Sequence, residues 1–239
     1  MFARRTSSPA RVAQALLLRR VEYGESDLVV TLLTDTIGRV SALARGARKS
    51  VKRFGGVIEP MHTLRIAYDD RSGAELVVLR EAKLERARPF IITSLERMQA
   101  AGLALNWVRK AAPPRTPEPE VWAAMTDLLD HLGDPEDTVS AQARLAATGL
   151  RLLAAFGWGI DFERCVSCGK APGPTQPAAV DAARGGLICR ECGGARRRLS
   201  ASERVALGRA ASGGDLDDEH ASLALELVEQ ALKTHGGIE

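Results

Sequence analysis

All four cysteines of the chain fall in one window, as Cys165-Val166-Ser167-Cys168 and Cys189-Arg190-Glu191-Cys192. Two Cys-x-x-Cys pairs separated by roughly twenty residues have the spacing of a tetrahedral zinc site. The reason is local: two intervening residues let a tight turn aim both thiolates at one ion. Gly169 and Gly193 supply the flexible position after each turn. Between the pairs lie Pro172, Pro174, Pro177, Gly185 and Gly186, with too little apolar matter to fold unaided. A metal would provide the missing stability. Two disulfides, or a set of free redox-active thiols, are the competing readings. The first needs an oxidising compartment, and the second a coincidence of spacing. Four thiolates leave no coordination position open for water, so a zinc held at Cys165, Cys168, Cys189 and Cys192 is structural. None of His62, His131, His220 and His235 lies near this window in sequence.

A second group of residues suits a polyanion. Arg39, Arg45, Arg48, Lys49, Lys52 and Arg53 follow one another with no Asp or Glu among them. Clustered Arg and Lys neutralise phosphates, and the glycines at 46, 55 and 56 let a backbone approach a ligand closely. An ordinary solvated loop is the bland alternative. Aromatic residues make up only 4% of the chain, and the first third offers Phe2, Tyr23, Phe54 and Tyr68. Binding is therefore expected to lean on phosphate contacts, to be salt-sensitive and to be nearly blind to base sequence.

Catalytic signatures are missing. There is no Walker motif, no GxGxxG ahead of a helix, no GxSxG and no HExxH. The paired acids Asp69-Asp70 and Asp217-Asp218 read as solvated turn residues. The balance shifts toward a binding protein rather than an enzyme.

The elements that position these groups follow from periodicity. Strands are expected at about Ala13–Glu22, Leu28–Thr34, Arg39–Ala44, Met61–Tyr68 and Glu75–Glu81, rich in Val, Ile, Leu and Thr. Tyr23 to Asp27, Asp35 to Gly38 and Asp69 to Gly73 are turn material. Five short strands suit a small barrel, the OB-fold first among candidates and an SH3-like barrel second. From Ser94 the period becomes helical, with a cap at Thr93 or Ser94. The proline-rich Ala112–Pro117 interrupts it. Helices follow at about Glu118–His131 and Thr138–Phe156, the latter Ala- and Leu-rich and expected to be central. A capping box at Ser200-Ala201-Ser202-Glu203 starts another, and Glu219–Lys233 forms the last.

The 239-residue chain, 45% hydrophobic and 26% charged with a net charge of +3, has the composition of a globular protein. No apolar run approaches the roughly 20 residues needed to cross a bilayer. Arg4, Arg5 and Arg11 precede a short apolar stretch that runs into Arg19-Arg20 without a small-residue cleavage site. It reads as a basic arm and a strand, which implies a cytoplasmic protein. The expected fold class is α+β: a five-stranded OB barrel over residues 1–83, then a helical domain over 84–239 with a zinc-knuckle insertion at about 161–198.

The stretch from Tyr23 to Thr34 resembles the opening signature of RecO proteins, as does Gly38-Arg39-Val40 leading into Ala44 to Ser50. Arg151-Leu152-Leu153 through Phe156-Gly157-Trp158, then Asp161 to Gly169, is similar to that family's central helix and zinc knuckle. Gly185 to Cys189 resembles its second knuckle. The resemblance implies an OB-fold, a helical domain and zinc on the four cysteines. It implies a nucleoid-associated repair factor that binds single-stranded DNA and anneals strands coated with single-strand-binding protein (SSB). Such a factor helps load RecA recombinase with RecR and catalyses no covalent chemistry. It assigns Arg39, Arg45, Arg48, Lys49, Lys52 and Arg53 to DNA, with Arg19 and Arg20. The main alternative is an RNA- or translation-associated OB and zinc-knuckle binding protein.

Overall fold

A computed structural model describes residues 10–70 and 74–238. Phe2, Arg4, Arg5 and the Arg71-Ser72-Gly73 part of one expected turn lie outside the described residues. Among the described residues two compact units are formed, one from those up to 87 together with 112–118 and one from 88–111 together with those from 119 on.

In the first unit, β1 (Arg11–Tyr23), β2 (Asp27–Thr34), β3 (Gly38–Ala44), β4 (Thr63–Asp69) and β5 (Val77–Arg86) close into a barrel. Their order around it is β1-β2-β3-β5-β4. Every neighbouring pair is antiparallel except β3 with β5, which is a five-stranded OB arrangement. β1 is long enough to serve two partners, β4 along Arg11–Leu16 and β2 along Ala15–Tyr23. Inward residues alternate along the strands, as in Val40, Ala42 and Ala44 of β3. With Leu17, Leu32, Leu64, Ile66 and Tyr68 they fill the barrel. Each large aliphatic side chain buried there stabilises by about 1.5–3 kcal/mol.

Two irregularities shape this unit. The pairing of β1 with β2 shifts between Leu17 and Arg19, a bulge at Leu18 that reverses which face later residues take. The other is the proline segment, which folds onto the barrel. Arg115 donates its amide to the Arg39 carbonyl at 2.8 Å, and Pro114 bridges Arg39. Gly38 has φ +68, and a Cβ there would lie 1.7 Å from the Thr116 carbonyl oxygen. The division between units is therefore not a single cut near Lys83: β5 continues to Arg86, and Ala112–Glu118 belongs with the strands.

The second unit holds α2 (Leu95–Ala111), α3 (Pro119–Gly133), α4 (Ala141–Ala155), α5 (Ala201–Ala211) and α6 (Asp218–Gly236). α1 (Val51–Phe54) is a four-residue helix of the barrel unit. Ser94 and Ser140 cap α2 and α4, each accepting from the backbone amide three residues on. Pro119 opens α3, where its missing amide costs no hydrogen bond. α4 packs against α2, α3, α5 and α6 and buries Leu145, Leu150, Leu152 and Leu153. It is the central helix, as its composition predicts.

The cysteine window is more structured than its prolines and glycines suggest. β6 (Asp161–Cys165), β8 (Gly186–Leu187), β7 (Ala178–Asp181) and β9 (Arg197–Leu199) form a four-stranded sheet in that order. Phe162, Val180, Leu187, Ile188 and Leu199 are buried, a small core that the sequence reading undercounted. Arg204 of α5, itself buried, donates to the carbonyls of Phe162 and Gly173 at 3.4 and 3.1 Å. It ties the sheet to the helices. Among the described residues no helix is long and apolar enough to cross a membrane.

Candidate nucleic-acid interface and metal site

The two Cys-x-x-Cys turns meet because β6 and β8 run side by side. Cys165 ends β6, and Cys189 follows β8 after Ile188. The four Sγ atoms lie within 4.8 Å of one another, and those of Cys168 and Cys189 are 3.6 Å apart. Four thiolates at about 2.3 Å from one ion stand about 3.8 Å apart in a regular tetrahedron. The cluster is therefore close enough to hold a single metal ion. Gly169 and Gly193 both adopt positive φ and turn the chain away behind each pair.

Local hydrogen bonding prepares these sulfurs. The Cys189 amide donates to Cys165 Sγ at 3.3 Å and holds that thiol down at about 6, which favours the thiolate form that a metal takes. Sharing of protons with Cys189 and Cys168 pushes Cys192 up to about 12. A metal displaces such protons on binding.

The basic stretch leaves β3 as a turn and then forms α1 (Val51–Phe54), capped by the Ser50 side chain. Phe54 is buried in the barrel and anchors this helix. The turn is also bonded to the β1–β2 hairpin. The Gly46 amide donates to Asp27 Oδ1 at 2.7 Å, and the Arg48 amide to the Ser26 carbonyl at 3.0 Å. Beneath it lies a cleft of about 440 Å³ between β1 and α1, floored by Leu28 and Ile58.

The basic residues of this stretch are not equivalent. Arg45, Lys49 and Lys52 are exposed. Arg48 pairs with Glu22 at 3.1 Å. Arg53 lies 5.2 Å from the Phe54 ring centroid and donates to the Arg45 carbonyl. Arg20 pairs with Glu59 and donates to the Ile58 carbonyl at 3.0 Å. Arg19 is exposed on the opposite face of β1. Arg39 stands apart at the far end of β3, about 20 Å along the strand from Arg45. Its Nε donates to the Ala112 carbonyl at 2.6 Å. The fold thus gathers Arg20, Arg45, Arg48, Lys49, Lys52 and Arg53 and separates Arg39 from them. Sequence reading missed Glu22 and Glu59, because carboxylates brought in from elsewhere in the chain carry no local signal.

Residues 11–88 match the family Recombination protein O N terminal, and residues 92–238 match Recombination protein O C terminal. The two matches together span nearly the whole chain.

The chain belongs to the RecO family.

Individual relatives agree with this. The chain is 38% identical over 204 residues to the DNA repair protein RecO of Anaeromyxobacter sp. (strain K), covering 83% of this chain and 78% of that one. It is 36% identical over 193 residues to the DNA repair protein RecO of Myxococcus xanthus, covering 81% and 76%. The protein of Geobacter sulfurreducens with the same name is 32% identical over 188 residues, covering 79% and 75%. The RecO match supports the OB reading of the barrel over the SH3-like one. Its two family segments meet near Arg88, where the strand unit gives way to helices.

Proposed function

We propose that this RecO-family protein is a cytoplasmic, nucleoid-associated DNA repair and recombination mediator. It binds single-stranded DNA, anneals complementary strands coated with SSB, and assists RecA loading together with RecR. It performs no covalent chemistry. The observation that carries the reading is the basic turn on the OB barrel, where Arg45, Lys49 and Lys52 extend toward solvent and Arg48 and Arg53 flank them. Phosphates bind such cations with release of counterions and without regard to base identity. Arg19 and Arg20 extend the contact. Arg39 contributes least to it, since its guanidinium is engaged by Ala112.

In this reading the four cysteines hold zinc. The metal supplies cross-linking of two loops and no reactivity, because four thiolates fill its coordination sphere. The chain's own part is to set the sulfurs at the right separation and to stabilise the Cys165 thiolate with the Cys189 amide.

Annealing of SSB-coated complementary strands across a salt series tests the proposal. A contact of about five phosphates predicts a log–log slope of affinity near −3.5, at roughly −0.7 per phosphate. Replacing Arg45, Lys49 and Lys52 together should flatten that slope by about 2 and abolish acceleration of annealing, with thermal stability unchanged. Annealing of naked strands alone would remove the SSB partnership. Failure with both, together with tight binding of structured RNA, would favour an RNA-binding role instead.

A further inference from the structure

Strict alternation along β1 places Ala13, Ala15 and Leu17 inward, and continued it would bring Arg19, Val21 and Tyr23 inward as well. The bulge at Leu18 prevents this. Beyond it Arg20 pairs with Val30 and Glu22 with Leu28, on the core side. Arg19, Val21 and Tyr23 instead pair with Thr31, Val29 and Asp27 on the outer face. The outcome is an apolar side chain and an aromatic ring turned to solvent, with Val21 43% and Tyr23 61% exposed. Phe54 and Tyr68 are buried, so Tyr23 is the one exposed aromatic ring among the described residues of the barrel unit.

Its surroundings suit a nucleic acid strand. The outer face continues through Val29 and Thr31 to Leu43 and Ser41 of β3, a half-buried apolar surface edged with hydroxyls. Arg19 stands on the same face. The hairpin that carries Tyr23 is also the one to which the basic turn is bonded, through Asp27 and Ser26. An exposed ring with Arg19 on its own face, on the hairpin to which the cation-bearing turn is bonded, offers what binding of an unpaired base requires: stacking for the base, charge for its phosphates. Bulges recur where a strand must re-aim a side chain next to a functional surface.

We propose that the outer face of β1–β3 is a base-stacking surface, with Tyr23 carrying an unpaired base of the single strand. This rests on the single-stranded DNA reading above and adds to it a contact that salt does not screen. Phosphate contacts to the basic turn set the salt dependence of binding, and Tyr23 sets a part that persists at high salt.

The test is binding of an oligothymidylate by Tyr23→Ala, Tyr23→Leu and Tyr23→Phe proteins over a salt series, with circular dichroism to confirm folding. Photo-crosslinking of an iododeoxyuridine-substituted strand accompanies it. Tyr23→Ala and Tyr23→Leu should weaken binding by about tenfold to a hundredfold at unchanged salt slope, and Tyr23→Phe should bind like wild type. The crosslink should map to the tryptic peptide Val21–Arg39, whose one aromatic residue is Tyr23. Wild-type affinity in Tyr23→Leu, or a crosslink confined to other peptides, would overturn the stacking surface and leave the phosphate reading intact. A wild-type protein that does not bind the oligonucleotide at all would overturn both.

Discussion

The barrel and the cysteine sheet are both small β-structures, and they close by different means. The barrel's five strands run 7 to 13 residues, and each finds a neighbour on both edges. Its interior is filled by Leu, Ile, Val, Phe and Tyr side chains. The cysteine sheet has strands of two to five residues, and only a handful of apolar side chains behind them. A ladder of that length cannot offset the entropy of ordering its loops. Where a core is too small, a cross-link has to supply the closure. The comparison teaches that one chain can use two solutions for local stability, and that the basic turn sits on the one whose own core closes it.

Metal removal is the strongest way to break this contrast. Loading the cysteine cluster with zinc is expected to contribute on the order of 10 kcal/mol to folding of residues 161–199. Chelation, or Cys189→Ala, should expose that segment to amide hydrogen exchange while the barrel's strands keep their protection. A cysteine sheet that stays protected without metal would show that Phe162, Val180, Leu187 and Leu199 suffice alone.

The second intervention strikes the barrel. Gly38→Ala should destabilise it by about 3 kcal/mol or more, through positive φ and a collision with the Thr116 carbonyl. Urea denaturation followed by exchange mass spectrometry should locate the loss in residues 10–87 and 112–118, with metal content unchanged. An unaltered midpoint would mean that the 112–118 segment is not held as described.

The smallest effect concerns the junction of the cysteine sheet with α5. The Ser200 amide donates to Glu203 Oε2 at 2.6 Å, and this bond holds the Glu203 carboxyl below its usual range. A lowered value means that the ionised form favours the folded state. The stabilisation is therefore complete above the unfolded carboxyl value and is lost as pH falls through the folded one. Glu203→Gln should lower stability by about 0.5–1 kcal/mol at neutral pH. The gap from wild type, read as melting temperature, should close on acidification. A gap independent of pH would assign the effect to packing.

Much of this was legible in the residues. The hydrophobic pattern located the five barrel strands, whose inward residues face one core, and the five helices of the second unit, while α1 was hidden within the basic loop. The Ser200–Glu203 box and the Cys-x-x-Cys turns are spacing motifs, and spacing is what a sequence displays directly. The cysteine sheet was harder to see. Its strands are too short to show a period, and their apolar residues are scattered among prolines and glycines. The fate of Ala112–Glu118 was also hidden, since prolines forbid a helix but do not say which surface the segment joins.

The sequence by itself determined the order of the five barrel strands and the main helices, a small-barrel and helical class, the paired cysteines and the run of cations, all consequences of local propensity, periodicity and spacing. The choice of an OB over an SH3-like barrel came with the RecO resemblance. Only the tertiary structure decided which cations extend toward solvent and which are held by Glu22, Glu59 and Ala112, since those partners are distant in sequence from the residues they hold. It also decided that Tyr23 faces outward. A single bulged residue in β1 changes the parity of the strand, and its place is set by the register with β2 and the closure of the barrel.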